Sequence, residues 1–97
     1  MNDSMKTMTT NEIRDALETV PQWKRIRGMI LRKFEFRDFV ASMVFVNSIA
    51  RLAELAGHHP DIDIRWNEVT LKLVTHDAGG LTAKDFELAR RFDSAAR

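Results

Sequence analysis

Apolar residues along the chain switch between two spacings, near 3.6 and 2, and each switch falls beside a residue able to start or stop an element. Thr9 is followed three residues later by Glu12, with Met8 and Ile13 flanking them, the pattern of a capping box with a hydrophobic staple. A helix starts there, runs through Ala16 and Leu17 and must end before Pro21, because the residue preceding proline is pushed out of the helical region. From Trp23 the period becomes two. Ile30, Arg32, Phe34 and Phe36 share one face and Leu31, Lys33 and Glu35 the other, so Trp23 to Phe36 reads as two strands with a tight turn at Arg27-Gly28. Beyond Asp38 a helical stripe returns through Phe39, Met43, Val46, Ala50 and Ala53, widened by Val44 and Leu52. Gly57 and Pro60 end it. Ile62, Ile64 and Trp66, then Val69, Leu71 and Leu73, alternate with polar residues and form a second hairpin turning near Asn67-Glu68. His76 closes its last strand, and residues 77–80 are expected to be a flexible connection. Thr82 and Asp85, with Leu81 and Phe86 as staple, open a last helix through Leu88, Ala89 and Phe92.

The order αββαββα predicts an α+β fold: a two-layer sandwich with one four-stranded antiparallel sheet and three helices on one face. At 97 residues there is room for one modest core, so residues 8–97 are expected to be a single domain behind a loose tail over residues 1–7. Such a sheet has two edges and too little chain to cover both, which predicts a homo-oligomer.

Composition narrows the chemistry. Fifteen basic residues against fourteen acidic ones leave a net charge of +1, too balanced for a protein whose main task is holding nucleic acid through phosphates. The densest basic stretch, Lys24, Arg25, Arg27, Arg32 and Lys33, reads as the solvated side of a one-sided sheet. The start of the chain shows no apolar signal region and no uninterrupted apolar run reaches membrane-spanning length, so a cytoplasmic protein without membrane contact is expected. Cysteine is absent, which removes disulfides, thiolate nucleophiles and thiolate metal ligands.

What remains is histidine. His58 and His59 follow the end of the long helix and His76 ends a strand, and both places open into loops. Adjacent side chains normally diverge, so His58 and His59 are poorly placed to hold one ion, and no metal site is expected even though His76 with Asp77 or Glu54 could complete a ligand set. Acid and base chemistry suits the set better, because imidazole titrates near neutrality and two rings can supply one donor and one acceptor. Equally, His58 can cap helix carbonyls and His59 can be merely solvated. Glu54, one helical turn before His58, is placed to orient that ring, or is an exposed helix glutamate. Trp66 can wall a flat heterocycle or pack in the hairpin. Asp85 is accounted for as a capping residue and is assigned a structural role.

Taken together, Glu54, three residues, His58-His59-Pro60, five residues, Trp66, nine residues, His76, eight residues and Asp85 resemble the signature of the pterin-4a-carbinolamine dehydratases. The resemblance runs outward through Phe36-Arg37-Asp38-Phe39, Thr75-His76-Asp77 and Gly80-Leu81-Thr82, over about residues 8 to 93, and thins before Met29, where the family often has a longer turn than Ile26-Arg27-Gly28. It implies loss of water from a 4a-hydroxytetrahydropterin to give the quinonoid dihydropterin, with no metal and no organic cofactor, in a homodimer or homotetramer. By position, His58 and His76 would be the acid and base, Glu54 would orient His58, and His59, Pro60, Trp66, Thr75 and Asp77 would hold the pterin. Two rivals use the same residues: a pterin-binding protein of another pathway, and a non-catalytic dimerisation or coactivator module, since relatives in animals partner a homeodomain transcription factor.

Overall fold

A computed structural model describes residues 6–97, and the expected loose tail over residues 1–7 lies largely outside them. Where the described chain begins it is already tied down. The Met8 amide donates to the Leu81 carbonyl at 2.9 Å, and the Thr7 methyl lies 3.3 Å from the place a Cβ on Gly80 would take.

Eight elements follow in the predicted order: α1 (Thr10–Leu17), β1 (Lys24–Ile26), β2 (Met29–Glu35), α2 (Phe39–Ala56), β3 (Asp61–Arg65), β4 (Glu68–Leu73), a single 3-10 turn (His76–Ala78) and α3 (Ala83–Ala95). Both capping boxes form, Thr9 with Glu12 and Thr82 with Asp85, and Asp38 caps α2 through the Ala41 amide. The strands make one antiparallel sheet in the order β1-β2-β4-β3. Its register sets Ile30 opposite Leu73 and Phe34 opposite Val69, so the buried residues of β2 and β4 share the face under the helices, while Lys33, Glu35 and Lys72 point the other way.

Four expectations change in detail. The first hairpin turns at Arg27-Gly28, but the residue in the left-handed region is Arg27 (φ 57°) rather than the glycine. The second turns one residue early, at Trp66-Asn67 with Trp66 left-handed (φ 51°), and Glu68 already pairs in β4. On α2 the buried line is Ser42, Phe45, Ile49 and Ala53, rotated from the predicted stripe, whose Phe39 and Val44 are exposed. The helix is apolar nearly all round, so spacing alone could not fix its phase; its 18 residues reach a mean hydropathy of 1.5, enough in length and composition for a membrane span, yet this line packs into the core. Finally, β4 stops at Leu73 and residues 77–80 are not a loose connection: the Thr75 carbonyl accepts the amides of Ala78, Gly79 and Gly80, and Thr75 bridges back to Gly80.

Of the basic stretch, Lys24, Arg25, Arg27 and Lys33 are exposed as expected. Arg32 is the exception, because it lies on the buried side of β2. Its guanidinium sits 4.0 Å over the Phe34 ring and 2.6 Å from Asp93, which also accepts the Trp23 indole N–H.

Candidate active site

The end of α2, the segment after β4 and the start of α3 meet at one end of the sandwich. Gly57 adopts the left-handed conformation (φ 62°) and its amide bonds the Glu54 carbonyl, while the His58 amide reaches back to the Ala53 carbonyl at 3.1 Å. These two bonds form a Schellman termination. It fixes the backbone of His58 against the last turn of α2 before the side chain makes any contact.

The ring of His58 is then held by α3. Its Nε2 lies 2.7 Å from Asp85 Oδ1, with the imidazole 12% and the carboxylate 0% exposed. Asp85 Oδ2 accepts from the Thr75 hydroxyl and the Thr82 amide, both at 2.9 Å, and the Thr75 oxygen lies 2.8 Å from that of Thr82. A charge taken wholly out of water needs such partners, since each hydrogen bond lost from it costs about 1.5–3 kcal/mol. As a carboxylate Asp85 only accepts, so His58 donates from Nε2, and the neutral form of the ring then carries its lone pair on Nδ1. Nδ1 bonds no described residue, and among the described residues no fully buried side-chain nitrogen or oxygen lacks a partner, so Nδ1 is not sealed from solvent.

Asp85 therefore does more than the capping role the sequence suggested, and Glu54 does something else. The Glu54 carboxylate lies 2.5 Å from Nε2 of His59, not of His58, and both are exposed, 76% and 62%. The one-turn spacing between Glu54 and His58 holds only while the helix continues, and the left-handed turn at Gly57 brings the next residue round instead.

His58, His59 and His76 line one open cleft of about 260 Å3, together with Thr75, Asp77 and Lys84. That is just below the roughly 300–1,000 Å3 of usual small-molecule sites. Thr75 borders the cleft, but its hydroxyl is taken up by Asp85 and Thr82, which leaves it a positioning part for Asp85 rather than a group free for a ligand. Pro60 leads from His59 into β3. Trp66 stands at the opposite end of β3, roughly 16 Å away at about 3.3 Å per residue, and does not border the cleft of its own chain. Among the described residues no three histidine or acidic side chains are grouped as a metal site would need.

This geometry agrees with what the chain resembles. Residues 6–95 match the family model described as pterin 4 alpha carbinolamine dehydratase. The chain belongs to this family. A candidate pterin-4-alpha-carbinolamine dehydratase of Acidobacterium capsulatum is 56% identical over 90 residues, covering 93% of this chain and 98% of that one. A protein of the same name from Picosynechococcus is 49% identical over 86 residues, 89% and 94% of the two chains. Among solved structures, a transcriptional coactivator/pterin dehydratase from Brucella melitensis matches with a TM-score of 0.92 at 32% identity, over 95% of this chain and all of that one. A pterin dehydratase-like protein identified as a RuBisCO assembly factor in the alpha-carboxysome shares the fold, with a TM-score of 0.67 at 24% identity over 77% of this chain and 89% of that one. The two-layer fold expected from the sequence is thus the fold of the pterin dehydratases.

The omission of Asp85 from the candidate site had a remedy in the sequence. Asp85, nine residues beyond His76, is one of the residues on which the family resemblance rests, and a capping role alone requires only that it follow Thr82 by three.

Proposed function

We propose that this protein is a dehydratase acting on 4a-hydroxytetrahydropterins, regenerating the quinonoid dihydropterin that follows aromatic hydroxylation. The observation that carries the reading is the convergence of three imidazoles on one cleft, one of them held in a single tautomer by a buried carboxylate. In the reaction the C4a–O bond breaks and the hydroxyl leaves as water with a proton from an acid, while the N5 proton passes to a base as the N5=C4a bond forms. His58, with Nε2 committed to Asp85, offers Nδ1 as the base, and His76, exposed on the 3-10 turn, is the acid. His59, paired with Glu54, holds the pterin with Asp77 at the rim, and Pro60 shapes the approach to His59. Trp66 would have to meet the pterin from a second copy of the chain.

A homo-oligomer belongs to the same reading. β3 is an edge strand with every residue exposed; Ile62 and Ile64 pair with the buried Leu71 and Val69, so they continue the apolar face beyond the helices, at 37% and 38% exposure. A second copy laid along that edge would cover them and add ladder bonds. The place of action in this reading is the cytoplasm.

The deciding assay follows the ultraviolet absorbance of 4a-hydroxytetrahydropterin generated in situ by a hydroxylase, with and without the purified protein. Acceleration over the spontaneous loss of water supports the reading. A rate equal to background would favour the binding-module alternative, which the names of the Brucella and carboxysome relatives keep in view.

A further inference from the structure

A second groove, of about 280 Å3, opens beside the three-histidine cleft and shares two of its residues, His58 and Lys84. Its floor is Ala56 and the buried Leu88, its rim the 78% exposed Leu55, and its wall the face of α3 carrying Lys84, Glu87 and Arg91. The cleft and the groove thus adjoin at His58 and Lys84. On the reading proposed above, the bicyclic ring occupies the cleft, and the groove is the space next to it for whatever substituent the ring carries.

The charges around these two compartments are uneven. Asp85 is saturated by three donors, Glu54 is paired with His59, and Glu87 lies 3.7 Å from Arg91. Asp77 is exposed on the 3-10 turn at the cleft's other wall. Lys84 is half-buried and lines both compartments; its backbone amide donates to the Thr82 hydroxyl, but its ammonium makes no hydrogen bond or ion pair to any described residue. It is the cation left over at the junction; along the same helix Glu87 lies three residues on, about 4.5 Å of rise, and its partner Arg91 seven residues on, about 10 Å.

We infer that Lys84 selects pterins whose C6 substituent ends in an anion, a carboxylate or a phosphate, with the substituent lying in the groove over Ala56 and Leu88. The apolar floor accepts the carbon atoms of the substituent, and the unpaired ammonium accepts its charge. A neutral substituent gains only the floor. This rests on the pterin reading of the cleft, and the test separates the two.

The experiment measures dissociation constants from the ligands' own fluorescence anisotropy at low salt. It uses two pairs that differ in charge: pterin against pterin-6-carboxylate, and neopterin against its 3′-monophosphate. The wild type should bind at least one anionic member about fivefold or more tightly than its neutral partner, and which pair shows the effect tells a carboxylate site from a phosphate site. Lys84→Gln should abolish that preference while leaving the neutral ligands within about twofold, and Lys84→Arg should keep it. Equal affinities within both pairs, or a preference that survives Lys84→Gln in protein of unchanged melting temperature, would refute the role of Lys84 and leave the pterin site standing. Failure of all four ligands to bind the wild type would remove the pterin reading and this inference with it.

Discussion

Replacing Asp85 with asparagine separates the two tasks of this residue. Thr82 N–H and the Thr75 hydroxyl both donate to Oδ2, so the new amide keeps those bonds by setting its oxygen there. Its NH2 group then faces His58 at the Oδ1 position, where the carboxylate had accepted at 2.7 Å. Two donors cannot share that contact, so His58 must accept at Nε2 and move its proton to Nδ1. The stability cost is the loss of one charge-assisted bond, about 1.5–3 kcal/mol, which for a domain of this size lowers the melting temperature by roughly 6 to 24 °C. The catalytic cost is larger, because the lone pair that takes the N5 proton is gone: about 10²-fold or more in turnover, the scale of general base catalysis. The assays are calorimetry for the first effect, the dehydration rate for the second, and imidazole 15N chemical shifts for the tautomer itself. Wild-type turnover in a folded Asp85→Asn protein whose shifts show the Nδ1–H tautomer would refute the argument. So would shifts showing Nε2–H unchanged beside a lost activity.

Other outcomes follow from the same geometry. His58→Ala and His76→Ala should each lower turnover by about 10²-fold or more; His76→Ala should cost no more than the roughly 1 kcal/mol of an ordinary substitution, whereas His58→Ala, which takes a donor from the buried Asp85, should cost about 1.5–3 kcal/mol of stability, and retention of full turnover by the double variant would overturn the assignment. His59→Ala and Glu54→Gln act on one exposed pair and should raise KM more than they lower kcat, so a kcat loss equal to that of His58→Ala would place His59 in the proton transfer. The backbone N–H of Thr9, foremost, holds the Glu12 carboxyl below its ordinary range. A depressed folded-state value stabilises the protein above the unfolded one and is lost as pH falls through the folded value, so Glu12→Gln should melt earlier than wild type at pH 7 and together with it in strong acid. Sedimentation at micromolar concentration should give a multiple of 11.2 kDa, and Ile64→Lys should shift it toward the monomer; a wild-type monomer refutes the edge argument.

Much of the fold was legible because its punctuation is local. Thr9 with Glu12, Thr82 with Asp85, and Gly57 before Pro60 each specify a helix end through bonds made within a few residues. What escaped depended on contacts across the chain or on backbone angles that residue type does not announce. Trp66 continues the alternation of Ile62 and Ile64, so a period of two runs straight through a turn that nothing in its side chain marks. The phase of α2 is set by the sheet and α3 beneath it, not by its own nearly uniform apolarity. The grouping of the histidines was legible and their carboxylate partners were not. Glu54 met a spacing rule that stops applying where the helix stops, and the true partner of His58 lies 27 residues away on another helix.

The double attachment of Asp85 also bears on how relatives should be compared. One oxygen of its carboxylate closes the first turn of α3 and the other orients an imidazole, so a descendant that gave up chemistry and kept only the scaffold would still lose a helix start if it lost the aspartate. Selection for folding alone is therefore enough to preserve it. His76 has no such second employment in this chain: it is exposed and holds no side-chain bond to any described residue. In sorting working enzymes from retired ones among proteins of this shape, the loose histidine carries more information than the buried acid.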